Sequence, residues 1–257
     1  MTKTQYIPEP AKFNSNFLIA GEPGAGKTVF CGRYEQGPVH FYVLDKNGLV
    51  SLNKFIAKRP NSKYAITYDD LSNDQTDFST LFHQLQRDEK EGFFQEMADQ
   101  NGLCVIDSLT TVNERAFQEI TEVNGLYLGP VGHGLDLKKG WQKPHWGQLR
   151  QWLSLIVSCI QDEPCAFAMT VHIDTVMNDA GVIVGRYPSI SGKLKAQIGK
   201  DFDECYLLTR KGNVFETYMT EYQHFIAKTC LFEPASYTDI SMNDIALAIK
   251  ANKTKIK

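Results

Sequence analysis

The chain has 257 residues, 42% of them hydrophobic and 22% charged, with a net charge of −3 and a pI near 6.1. These proportions suit a globular protein with a real core and exclude a global pull toward nucleic acid or anionic membrane, so any such contact needs a local basic patch. The six scattered cysteines (31, 104, 159, 165, 205 and 230) form no C-x-x-C pair and no metal-binding spacing with histidine, the opening MTKTQYIPEP lacks an apolar signal segment, and the uncharged run 151–161 is too short for a bilayer; a soluble, cytoplasmic protein with no membrane association is expected.

In chain order, residues 1–16 carry Pro8 and Pro10 and read as an extended N-terminal arm. Phe17–Ala20 is a short buried strand, and Val29–Tyr34 opens a helix. A second strand spans 39–44 and ends at Asp45, and a third spans 64–68. Leu81, Phe82 and Leu85 place a helix from about residue 79. Leu103–Ile106 is a continuous apolar strand ending at Asp107, as expected where both sheet faces are covered. Val112, Ala116, Phe117, Ile120 and Val123 share one helix face, as do Leu149, Leu153, Ile156, Val157 and Ile160. Cys165–Val171 is a further buried strand. Beyond it, 203–209 and 214–220 flank Lys211-Gly212-Asn213 as an antiparallel hairpin, and Ser241 caps a last helix before a lysine-rich tail. Strands alternating with helices predict one α/β domain with a mostly parallel sheet, a C-terminal antiparallel hairpin extension and a final helix.

Between the first strand and first helix lies Gly21-Glu22-Pro23-Gly24-Ala25-Gly26-Lys27-Thr28, a complete G-x-x-x-x-G-K-T motif, followed by Val29. Gly24 and Gly26 can adopt angles that turn backbone N–H groups inward as an anion nest, and Pro23 pre-sets one φ. Lys27 is placed to reach β- and γ-phosphates, and the Thr28 hydroxyl to coordinate Mg²⁺. Such a loop calls for a carboxylate at the end of a second strand to hold the metal shell, and Asp107 fills that role. The expected cofactors are ATP and Mg²⁺. Strand 39–44 lies between loop and carboxylate in the chain, the order of the P-loop branch in which a separate acid beside the central strand activates water.

These residues carry a family resemblance. Val105-Ile106-Asp107-Ser108-Leu109-Thr110-Thr111 resembles the second nucleotide motif of RecA-like recombinases, and Val43–Leu49 resembles their segment bearing the catalytic acid. Thr170-Val171-His172 falls where such proteins end a core strand with a polar γ-phosphate sensor, which makes His172 the sensor or else a satisfied core histidine. Pro188–Lys193 with Phe202-Asp203 is similar to phage-encoded RecA-like ATPases of the nucleotide-binding kind, some of which anneal single strands. The resemblance covers roughly residues 15 to 210. It implies a RecA-like P-loop core over 17–234, leaving 235–257 as a C-terminal helix and basic tail. It departs at Asn47, which stands where the water-activating Glu is expected and cannot act as a base. Asp45 is either that base or a strand terminator. Slow hydrolysis follows, with ATP acting mainly as a switch.

Two segments are candidate DNA loops. Residues 124–147 hold Lys138, Lys139, Trp141, Lys143 and Trp146 among glycines, with Trp141 and the three lysines preferred over Trp146. Residues 173–191 suit a β-hairpin with Arg186 and Tyr187 as contact residues. Lys193 is the candidate cation that RecA-type assemblies insert into a neighbour's site. The expected partners are single-stranded DNA, further copies of the chain in a ring or filament, and a single-strand-binding protein. The competing reading is a nucleotide-gated regulator or helicase loader acting through a protein partner.

Overall fold

The structure is a computed structural model describing residues 13–58, 63–73, 77–126, 141–251 and 256. Its first strand, β1 (Asn16–Gly21), is wholly buried, and its side chains alternate between two cores. Phe17 and Ile19 face one, Leu18 and Ala20 the other. That alternation of large apolar groups to both sides demands helices on both faces of the sheet.

The remaining elements follow in chain order as α1 (Lys27–Gly32), β2 (Val39–Val43), α2 (Lys46–Ala57), β3 (Ile66–Asp70), α3 (Phe78–Glu91), α4 (Phe93–Asp99) and β4 (Leu103–Asp107). Next come α5 (Leu109–Val123), α6 (Lys143–Gln161), β5 (Ala166–Val171), β6 (Ile173–Met177), β7 (Ile183–Pro188), two 3-10 turns, β8 (Glu204–Lys211), β9 (Val214–Tyr218), β10 (Ser236–Thr238) and α7 (Met242–Lys250). Helices α3 to α6 bury Leu81, Phe94, Val112 and Leu153 against one face. The other face is covered by Phe30 of α1, Leu52 of α2, and Met242 and Ile245 of α7. The last helix thus packs on the same core as α1.

The eight-stranded sheet runs β10-β9-β8-β1-β5-β4-β2-β3. Strands β8, β1, β5, β4, β2 and β3 are mutually parallel, and β9 and β10 extend the sheet antiparallel. Two points refine the sequence reading. The strand lying between the phosphate-loop strand and the Asp107 strand in the sheet is β5, whereas residues 39–43 lie on the far side of β4. The first arm of the C-terminal hairpin, β8, is itself a core strand, paired parallel to β1 from Phe17↔Glu204 to Gly21↔Leu208. Its turn follows the expectation, with Gly212 at φ 63.

Residues 173–188 form the expected projecting hairpin, a separate two-stranded sheet. Residues 143–147, expected in a loop, form the first turn of α6, because Gln142 and His145 make a reciprocal capping box and Pro144 sits in the first turn. The sheet is bordered by β3, whose Asp69 and Asp70 lie at its C-terminal end, and by three-residue β10, which runs into Asp239 at φ 53.

Candidate nucleotide site

The site forms at the carboxyl ends of the parallel strands, where β1 leaves the sheet between β5 and β8. Open α/β sheets bind ligands at such points, because the chain diverges there and leaves a crevice. Gly21 ends β1 so close to β8 that a Cβ would lie 2.6 Å from the Leu208 carbonyl oxygen. The loop then turns through Gly24 at φ 79 and Gly26 at φ 85, with the Ala25 N–H donating to the Glu22 carbonyl at 3.1 Å. Both angles favour glycine. Ala25 packs into the core, while Glu22, Pro23 and Gly24 are exposed and Val29 is half-buried.

Lys27 is 6% exposed and folds back onto the loop, with Nζ donating to the carbonyls of Gly21 (2.9 Å) and Glu22 (3.1 Å). Nζ also lies 3.1 Å from His172 Nδ1. Burial lowers its pKa from 10.5 to about 8, against the opposing pull of Asp107 and Asp45. The Thr28 hydroxyl donates to Asp107 Oδ2 at 2.7 Å, and the Thr170 hydroxyl at the end of β5 donates to Oδ1. Gly48 in α2 gives this carboxylate room: a Cβ there would lie 2.9 Å from Oδ2. The peptide after Asp107 is cis.

Asp45 follows β2 and caps α2, accepting the Asn47 N–H at 2.8 Å. Its Oδ2 lies 3.9 Å from His172 Nε2, and the interaction with His172, helped by the Asn47 and Gly48 N–H groups, holds its carboxyl below the usual range against burial. The two ring nitrogens of His172 face different partners, Nδ1 the Lys27 amine and Nε2 the Asp45 carboxylate. Lys27, His172 and Asp45 thus form a line across the cavity. Arg115 of α5 steadies the Asp45 end, donating to the Leu44 carbonyl at 2.9 Å and the Leu71 carbonyl at 2.7 Å. The His172 N–H donates to Thr110 Oγ1 at 2.9 Å, and its carbonyl accepts the Ser189 N–H at 2.7 Å.

These residues line a cleft of about 470 Å³ that runs from Asp45, Asn47, Asp107 and His172, past the loop from Pro23 to Val29, to Arg33, Leu208, Phe215, Thr217 and Ile240. Among the described residues no three His, Cys, Asp or Glu side chains come together to cage a metal ion. Thr28 and Asp107 instead offer one hydroxyl and one carboxylate, the sparse set with which proteins hold Mg²⁺ whose other ligands are water and phosphate. Gly48, Thr170, Arg115 and Phe215 are members that motif reading does not single out.

The other candidates lie apart. Lys138 and Lys139 fall outside the described residues. Lys143 is exposed at the start of α6. Trp141 stacks on Phe117, centroids 4.0 Å apart at 7°, and donates to Thr121 Oγ1 at 3.0 Å. Trp146 is the more exposed of the two rings, at 41%, and rests tilted on Trp141 with centroids 4.8 Å apart. Arg186 is largely buried at the hairpin root, 3.9 Å from Glu22 of the phosphate loop, and Tyr187 lies under Lys195, 5.2 Å away. Lys193 lines a second groove of about 370 Å³ with Trp146, Arg150 and Leu194, outside the chain's own nucleotide cleft.

No protein-family model matches the sequence, and no curated protein matches it. Among solved structures the chain is similar to an ATPase from the type III secretion system of pathogenic bacteria, at 18% identity and a TM-score of 0.44, over 77% of this chain and 52% of that one. The chain's own sheet order is that of a mostly parallel α/β sheet flanked by helices, with the strands of the glycine loop and of Asp107 on either side of β5 and the loop at the end of β1.

Proposed function

We propose that the protein binds ATP with Mg²⁺, hydrolyses it slowly and uses it to govern binding and annealing of single-stranded DNA. The observation that carries the nucleotide reading is the convergence of the glycine loop, the Thr28–Asp107 pair and the Lys27–His172–Asp45 line on one cleft. The loop N–H groups and Lys27 hold the phosphates, and bound Mg²⁺ would supply charge neutralisation of the β- and γ-oxygens from the Thr28–Asp107 position. Slow turnover follows from the acids present. Asn47 cannot accept a proton, and Asp45 is spent on the α2 N-terminus and His172, which keeps it a weak base.

A γ-phosphate competes with His172 for Lys27. Release of Lys27 frees the imidazole, whose backbone carbonyl is tied to Ser189 at the root of the β6–β7 hairpin. That gives occupancy a route to the surface. Exposed Trp146, Lys143 and Arg150 near the start of α6 support the DNA reading.

One observation favours a protein partner instead. The hairpin exposes Val176, Met177, Val182 and Val184, and its turn carries Asp179 and no cation.

ATPase and single-strand binding, measured with wild type and Lys27→Ala, separate the two. DNA-stimulated turnover, with affinity falling by about 0.7 log unit per phosphate contact for each tenfold rise in salt, supports the DNA protein. Tight ATP binding without DNA affinity defeats it in favour of the partner-gated switch.

A further inference from the structure

One wall of the cleft stands beside the phosphate loop and has its own chemistry. Phe215 of β9 lines it, together with Arg33 beyond α1, Leu208 and Thr217 of the hairpin strands, and Ile240 before α7. The ring sets one edge against the loop, its Cε1 and Cδ1 lying 3.0 and 3.2 Å from where a Gly26 Cβ would stand. The Arg210 guanidinium sits 5.3 Å from the ring centroid. The backbone beneath is fixed on both sides: Phe215 N–H donates to Asp239 Oδ1 at 3.3 Å, and Asp239 N–H donates to the Phe215 carbonyl at 2.8 Å. Asp239 holds φ 53 to do so.

An aromatic ring packed simply to fill a core is buried. This one is 36% exposed while its backbone is pinned, and it lines the cleft with its edge against Gly26 of the loop. With Arg210 over one face, the remainder of the ring, exposed beside the loop, suits another flat π-system.

We propose that Phe215 is the platform on which the nucleobase of the bound nucleotide stacks, with Ile240 and the Arg33 side chain closing the subsite. The inference rests on the nucleotide reading above and adds the part of the ligand that the phosphate loop cannot see. The C-terminal hairpin is then a component of the ligand site, and β9 couples the base to the strand β8 that flanks the loop.

The test compares ATP with inorganic tripolyphosphate, which has the phosphates and no base, by calorimetric titration in the presence of Mg²⁺. Phe215→Leu keeps an apolar side chain against Gly26 and removes the stacking face, and Phe215→Trp restores one. The expected result is ATP affinity weakened about 5- to 150-fold by Phe215→Leu, recovered by Phe215→Trp, with tripolyphosphate affinity unchanged in all three proteins. In Phe215→Trp, ATP and not tripolyphosphate should quench the new indole fluorescence.

Equal loss of both ligands in Phe215→Leu would show that the ring only props the loop and would overturn the proposal. Unchanged ATP affinity in Phe215→Leu overturns it while leaving the nucleotide site standing. Absence of ATP binding by wild type defeats the nucleotide reading itself, and the platform with it. Thermal melting of each variant guards against reading a folding defect as a lost contact.

Discussion

Raising the pH from near 7 to about 9.5 should strip nucleotide from the site, because Lys27 is buried with a pKa lowered to about 8. A bound triphosphate supplies the counter-charge that burial withholds and returns the lysine to its ordinary range. Below about pH 8 the ammonium is charged in both states and affinity is flat. Above it, each binding event must take up a proton. One and a half pH units past the empty-site pKa, about 3% of sites carry the charge, so affinity falls about 30-fold, or about 2 kcal/mol. The stability of the nucleotide-free protein moves the other way: between about 8 and 10.5 the unfolded lysine binds more protons than the folded one, so unfolding becomes harder as pH rises. Calorimetric titration across this window, in two buffers of different ionisation enthalpy, reads both the affinity and the proton count. Uptake should approach one proton at about pH 9.5 and vanish near pH 7. A flat affinity with no proton uptake would show that Lys27 is fully charged in the empty site and would refute the reasoning. Lys27→Met should bind weakly and without this pH dependence.

Asp107→Asn preserves the size of the side chain that meets Thr28 and Thr170, so melting should hold while Mg²⁺-dependent turnover falls about 100-fold and Mg²⁺-free nucleotide affinity stays close to wild type. Gly48→Ala improves helix propensity by about 1 kcal/mol but sets a methyl against Asp107 Oδ2; turnover should drop about 10- to 100-fold at a near-constant melting temperature, and unchanged turnover would show the carboxylate position to be uncritical. Trp141→Ala should destabilise the fold by about 1–3 kcal/mol through loss of its stack on Phe117. Trp146→Ala removes the outer ring of the same cluster, so it should cost less stability than Trp141→Ala and weaken single-strand affinity about 5- to 150-fold; no change in affinity would remove this surface from the DNA reading.

The elements legible in the sequence were those whose signal is local. The phosphate loop announces itself through glycines at two left-handed positions, and Asp107 through the end of a fully apolar run. Gly212 and the turn at 178–181 marked both hairpins. Partnership was the hidden part. Nothing in Cys165–Val171 says that it slides between the strands of the loop and of Asp107, and nothing in 204–211 says that it runs parallel to β1, because pairing is chosen by surfaces far apart in the chain. The same holds for the two tryptophans. Trp141 and Trp146 have similar sequence surroundings, and only the approach of α5 stacks the first on Phe117 and leaves the second tilted at the outer edge of the same cluster, 41% exposed. Gly48 reads as an indifferent helix glycine until Asp107 is set beside it. Phe215 looks like any apolar residue of a strand until the loop is seen to pass under its edge.

The borders of the sheet bear on how copies of this chain can meet. On one side Asp69 and Asp70 close the last strand, and a neighbour laid alongside would have to desolvate both carboxylates. On the other, three residues of β10 leave almost no ladder to continue before Asp239 bends the backbone away. Short and acidic borders discourage strand addition. Among the described residues, the two edges of the eight-stranded sheet are therefore poor templates for a further strand, which leaves helix faces, loop ends and the separate β6–β7 hairpin as the surfaces on which copies of this chain can meet.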